Sequence, residues 1–149
     1  IPFTAPAMMI SPDTKQITLG DEQIIIAGDF DGARRTVHMN IDSHDDATPS
    51  VQGYSIGRWE GDTLVIDTRH FSEHALGNGF GIPSGSQKHM VEKLTLNEDG
   101  KSLAYQFELT DPEFLASSIS GEVTWAYRPD LTFAPAECDP DNARRFIGE

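Results

Sequence analysis

Tyr54-Ser55-Ile56-Gly57-Arg58-Trp59-Glu60-Gly61-Asp62-Thr63-Leu64-Val65-Ile66-Asp67-Thr68 holds two alternating runs that meet at Gly61-Asp62, a pair suited to a two-residue hairpin turn. A loop of that length sets Glu60 opposite Thr63, Trp59 opposite Leu64, Gly57 opposite Ile66 and Ser55 opposite Thr68, so Trp59, Leu64 and Ile66 share one face. That face is the core side. The other carries Arg58, Asp67 and Arg69 among Tyr54, Ile56 and Val65, a mixture that water or a second element tolerates.

Strand character extends outward from this hairpin to 16–30, 34–40, 87–96, 102–110 and 119–128, the first run reading as two short strands broken near Gly20-Asp21. Helical signals are confined to short turns begun by Asp111-Pro112 and Asp139-Pro140, where Asp caps and Pro suits the first helical position. Seven or eight short strands in succession predict an all-β fold, an antiparallel meander forming a closed or partly open, lipocalin-like barrel with minor helical turns. With 149 residues the chain is one β domain, 1–149. Residues 1–12, rich in Pro, Ala and Met, read as an irregular arm laid over a surface, and 139–149 as a short C-terminal helical tail.

Two further hairpins sort the faces. Asp31-Gly32 as a type I′ turn pairs Phe30 with Ala33, Gly28 with Arg35, Ile26 with Val37 and Ile24 with Met39, which puts Arg35 on an apolar face. A four-residue loop at Asn97-Glu98-Asp99-Gly100 pairs Leu94 with Leu103 and Met90 with Phe107, and turns Glu92 inward beside Tyr105. His89 and His38 fall on the outside.

Eleven basic against 24 acidic residues leave a net charge of -13, which repels nucleic acid and anionic membranes. No apolar run approaches the roughly 20 residues that span a bilayer, so membrane insertion is not expected. Cys138 is the only cysteine, so no intrachain disulfide forms, and Glu137 and Asp139 beside it disfavour a thiolate. No phosphate-binding loop and no dinucleotide strand-helix unit is present, so no cofactor is expected. A start at Ile1 and not at Met implies processing or a cut boundary, so an export signal could have been removed before this numbering begins.

Four blocks in order carry a resemblance: Arg34-Arg35-Thr36-Val37-His38-Met39, the hairpin from Gly53 to Thr68, Lys88-His89-Met90-Val91-Glu92-Lys93, and Leu109-Thr110-Asp111-Pro112. Together they resemble a pattern found in a large group of uncharacterised, mostly exported bacterial proteins. The chain departs from it at Ile41-Asp42-Ser43-His44 and at Ser84-Gly85, where the group often carries D-G-R-x-H and His-Ser. The resemblance implies an all-β bacterial protein of the periplasm or exterior, and no assigned activity.

Glu92, interleaved with Met90, Leu94 and Leu96, is the sharpest chemical signal, because desolvation raises a carboxyl group toward values useful in acid-base work. The competing expectation is a buried ion pair with Arg35. Both fit an Arg-Glu pair in a cavity wall that grips a polar ligand. His70, at the far end of the Trp59 face, suits a general base or a hydrogen-bonded strand end. Tyr105 either donates to a substrate or satisfies Glu92. All five histidines lie between His38 and His89, but no metal-binding spacing joins them, and Asp42, Asp45 and Asp46 read as a solvated loop, so no metal is expected. The loop 77–85 reads as flexible or as a lid.

The first expectation is an exported barrel holding a small, partly apolar molecule among Trp59, Tyr105, Phe107 and Trp125, oriented by Arg35 and Glu92. The alternatives are an isomerase, lyase or hydrolase in which Glu92 or His70 moves a proton in that cavity, and a structural or interaction protein whose interior is filled by its own side chains.

Overall fold

In a computed structural model that describes residues 4–30, 32–79 and 81–135, the chain is nearly all β, a strongly curled eight-stranded sheet forming a half-barrel beside a small two-stranded sheet. The strands are β1 (Lys15–Leu19), β2 (Gln23–Gly28), β3 (Arg34–Met39), β4 (Tyr54–Glu60), β5 (Thr63–Arg69), β6 (His74–Gly79), β7 (Ile82–Ser84), β8 (His89–Leu96), β9 (Ser102–Thr110) and β10 (Ile119–Ala126). The large sheet runs β1-β2-β3-β4-β5-β8-β9-β10, while β6 and β7 form the small one. The first and last strands of the order do not meet, so the barrel stays open. The proposed C-terminal tail and Cys138 lie outside the described residues.

The central hairpin has the expected register, with Glu60 opposite Thr63, Trp59 opposite Leu64 and Ser55 opposite Thr68. The other two hairpins keep their facing and change register. Between β2 and β3, Ile26 faces Arg35, and the Gly28 amide donates to the Ala33 carbonyl at 2.9 Å, so the turn is longer than the two residues expected. Asp29 explains it: its amide and carboxylate bond to Thr14, at 3.1 and 3.0 Å, which draws it toward β1 and away from Arg34. Between β8 and β9, Leu94 faces Tyr105, Glu92 faces Phe107 and Met90 faces Leu109. There Asp99 accepts from the amides of Lys101 and Ser102, at 2.8 and 2.9 Å, and moves the turn one residue along. Both shifts are by an even count, so every side chain stays on its expected face.

Three features depart from a simple meander. β3 and β4 are parallel, with Val37 opposite Ser55 and Met39 opposite Gly57, because the long connection 40–53 crosses back before β4 begins. The segment 77–85, expected as a loop, contains most of the β6-β7 hairpin. The N-terminal segment is no surface arm: Thr4, Ala5, Met8 and Met9 are almost wholly buried, and one short helix, α1 (Ala7–Ile10), packs into the core with Ile24, Ile26, Met90 and Leu109. An open half-barrel leaves apolar surface bare, and this segment covers it.

Glycine matters at two turns. Gly53 has φ +69°, and a Cβ there would sit 2.9 Å from the Arg69 carbonyl and 2.8 Å from Thr68 Cγ2. Gly61 has φ +60° with open space around it. Gly61→Ala is therefore expected to cost only about the 1–2 kcal/mol of a left-handed alanine, and Gly53→Ala more, because backbone cannot retreat from the added methyl. Urea unfolding of both variants checks the order; equal losses would mean that the close approach at Gly53 is absent.

Candidate functional site

Arg35, Glu92 and Tyr105 do meet. Arg35 Nη1 and Nη2 donate to Glu92 Oε1 and Oε2, both at 2.8 Å, a bidentate pair with side chains 1% and 0% exposed. Tyr105 Oη donates to Glu92 Oε1 at 2.8 Å, Arg35 Nη2 also reaches Ser55 Oγ at 2.7 Å and Thr68 Oγ1 at 3.0 Å, and those two hydroxyls share a bond of 2.8 Å. Burial alone would lower the guanidinium pKa, but the charge and bonds of Glu92 outweigh it and raise it. Burial, with the Glu92 charge behind it, pushes the Tyr105 phenol well up. The pair is an internal clamp, closed to solvent.

Two of the remaining interior candidates pack on the Tyr105 ring. Trp125 stacks on Tyr105 at 5.4 Å between ring centres, and Phe107 lies 6.0 Å from the same ring. Trp59 shares the inner face with Leu64 but is 55% exposed, because β3 pairs with β4 only as far as Gly57 and leaves the tip of β4 on the rim. Gly53-Tyr54-Ser55-Ile56-Gly57 spells a glycine-flanked serine, yet Ser55 is buried within a strand and spent on Arg35 and Thr68, unlike a nucleophile at a strand-to-helix turn.

At one end of the interior lies Lys88, 2% exposed, which the sequence did not single out. Its Nζ donates to the Ala5 carbonyl at 2.6 Å and to the Gly77 carbonyl, and rests 4.4 Å from the centre of the Phe71 ring. Burial pulls its pKa down to about 7, with Arg35 acting in the same direction and Asp111 and Glu92 opposing. Asp111, the expected turn cap, accepts from Asn78 Nδ2 at 2.6 Å and from the Gly85 and Glu113 amides at 2.9 and 3.3 Å.

The open chemistry is on the convex face. Asp67 accepts from His89 Nε2 at 2.9 Å and from Arg69 Nε at 3.2 Å, while His44 Nε2 donates to the Asp67 carbonyl at 3.1 Å. Burial would raise the Asp67 carboxyl, but His89 and Arg69 hold it below the usual range. Carboxylate and carbonyl only accept, so both rings must present Nε2–H here. The Tyr54 ring stacks on His38 at 4.4 Å and meets His44 edge-on at 6.1 Å; His70, with φ 55°, lies 6.3 Å from His44.

The connection 40–53 folds beside this face and leaves two adjoining open hollows. One, of about 540 Å³, is lined by Met39, Ile41, Ile56, Arg58 and Trp59; the other, of about 490 Å³, by Ser43, His70, Gln87 and His89; Asp42, His44 and Arg69 border both. His70 and Trp59 thus reach the same groove from the rim, away from Glu92. The strand facing had placed Arg58, Asp67, Arg69 and His89 outside, but alternation alone carries no sign that a distant connection will border them. Among the described residues no group of three or more His, Cys, Asp or Glu side chains is arranged to hold a metal ion.

Comparison with protein-family models, with curated proteins and with solved structures finds no match for the chain.

Two outcomes follow from the interior. Glu92→Gln removes the charge that compensates a buried guanidinium, so a loss of roughly 3–5 kcal/mol is expected. Denaturant unfolding of Glu92→Gln, Arg35→Met and the double variant should reveal strong coupling, and additive small effects would refute the clamp. Lys88 has a folded pKa near 7 against about 10.4 unfolded. Between those values the unfolded chain binds the extra proton, so stability should rise from pH 7.5 to 9.5 by up to about 1.4 kcal/mol per pH unit. The Lys88→Met protein should lack that component of the slope; an unchanged profile would count against it.

Proposed function

We propose that the protein binds a small, partly apolar molecule with an anionic group, in the convex groove between the connection 40–53 and strands β4, β5 and β8. One observation carries this: two hollows, each larger than the roughly 300 Å³ of a useful pocket, adjoin along Asp42, His44 and Arg69. Arg58 is spent on Glu60, at 2.9 Å. Arg69 binds Asp67 through Nε alone, so among the described residues its two Nη nitrogens have no bonded partner and can fork onto a carboxylate. Met39, Ile41, Ile56 and Trp59 offer the apolar body a surface.

A proton-transfer reading of the same groove rests on the Asp67-His89 bond, since a carboxylate that fixes one ring nitrogen as a donor leaves the other to act as a base. Glu92 does not take that role, being sealed with Arg35.

Benzoate, benzyl alcohol and benzylamine serve as probes that differ only in the polar group. Benzoate should perturb the amide and side-chain NMR signals of His44, Trp59 and Arg69 most, and Arg69→Met should weaken it by about tenfold, or 1.4 kcal/mol. Equal response to all three, or none at the groove, would overturn the assignment.

A further inference from the structure

Lys88 is a buried amine whose only hydrogen-bond acceptors among the described residues are two backbone carbonyls, those of Ala5 and Gly77. Buried ammonium groups are normally matched by a carboxylate, since neutral carbonyls compensate a desolvated charge poorly. The nearest candidate is otherwise engaged: both Asp111 oxygens take bonds from Asn78, Gly85 and Glu113. Asp111 and Glu92 act on Lys88 through space, but among the described residues no carboxylate oxygen bonds to its Nζ directly.

What fills the space beside it is weakly held. Ala5 lies just before α1, a helix of four residues whose N-terminus has no side-chain cap. So short a helix has no stability of its own and depends on its packing. No strand ladder joins this segment to the sheet. Among the described residues its polar ties to the sheets are the Lys88 bond to Ala5 and the Thr4 hydroxyl donating to the Gly77 carbonyl at 3.0 Å. The rest is Met8 and Met9 in the apolar core. Methionine is the residue best able to fill an irregular space and to leave it. Beyond α1, Lys15 Nζ grips the Ser11 and Asp13 carbonyls, each at 2.9 Å, which anchors the chain after the segment and gives it a fixed pivot.

We propose that the space occupied by Ala5, Met8 and Met9 is a second binding site, for an amphipathic acid: a flexible apolar chain ending in a carboxylate. The carboxylate takes the place of the Ala5 carbonyl on Lys88, and the apolar chain replaces the two methionine side chains against Ile24, Ile26, Met90 and Leu109. The N-terminal segment swings out about Ser11. In the unliganded state the chain supplies its own imitation of the ligand, with a carbonyl for the acid group and thioether chains for the tail. The site is distinct from the convex groove and does not depend on it.

The test uses the intact chain with [13C]methyl-methionine, whose four methyl groups are those of Met8, Met9, Met39 and Met90, and dodecanoate, dodecanol and dodecyltrimethylammonium as probes below their micelle concentrations. Dodecanoate should move the Met8 and Met9 signals to solvent-exposed positions, with dodecanol weaker and the cation without effect. Lys88→Met should weaken dodecanoate at least tenfold and leave dodecanol unchanged. Unmoved Met8 and Met9 signals, or an equal response to all three probes, would overturn the proposal. The probe comparison needs no variant, so it decides even if Lys88→Met fails to fold. Arg69→Met should bind dodecanoate normally, which separates this site from the groove.

Discussion

Arg35 and Glu92 hold opposite charges in the dry middle of a sheet that never closes. Their hydrogen bonds reach side chains on five strands adjacent in the sheet: Arg35 on β3, Ser55 on β4, Thr68 on β5, Glu92 on β8 and Tyr105 on β9. A closed barrel fixes its curvature through a complete ring of backbone bonds, and this one has no such ring. Cross-strand side-chain bonds do part of that work here. They also specify register, because a slip of one residue in any of the five strands would strand a charge or a hydroxyl without a partner.

The same clamp is closed to solvent. Its charged groups are buried and every Glu92 contact is supplied internally, while Arg35 Nε has no hydrogen-bond partner among the described residues. Two further polar clusters lie at the margins. On the convex face, Asp67 organises His89 and Arg69 beside a long connection. At the open end, Lys88 meets a short helical segment held mainly by apolar contact. Both places lie where the ladder is interrupted: the β3-β4 crossing forces the chain across the outside, and the missing closure leaves apolar surface to be covered.

Much of this was legible in residue order, and the reason is periodicity. Alternation with period two assigns each side chain to a face, and an error of two residues in a turn does not alter that assignment. Hence Arg35, Glu92 and Tyr105 came out inward, and Arg58, Asp67, Arg69 and His89 outward, although two turns were misplaced. Turn position itself was less legible because it hangs on contacts from elsewhere, as Asp29 with Thr14 shows, or on competing local caps, as with Asp99. Trp59 is instructive: its face was right and its exposure wrong, since burial depends on whether a neighbouring strand extends far enough to cover it.

The sequence by itself determined the β class, the central hairpin with its register, and the pairing of an inward arginine with an inward glutamate, because these follow from spacing along single strands and from the cost of burying an unmatched charge. Only the tertiary structure decided that β3 and β4 run parallel, that the N-terminal segment is buried against the core, that Lys88 lies buried against backbone carbonyls, and that His44 joins Asp67 and His89 beside a groove. Each of these depends on where a connection of many residues comes to rest, and long connections carry no period from which their destination can be read.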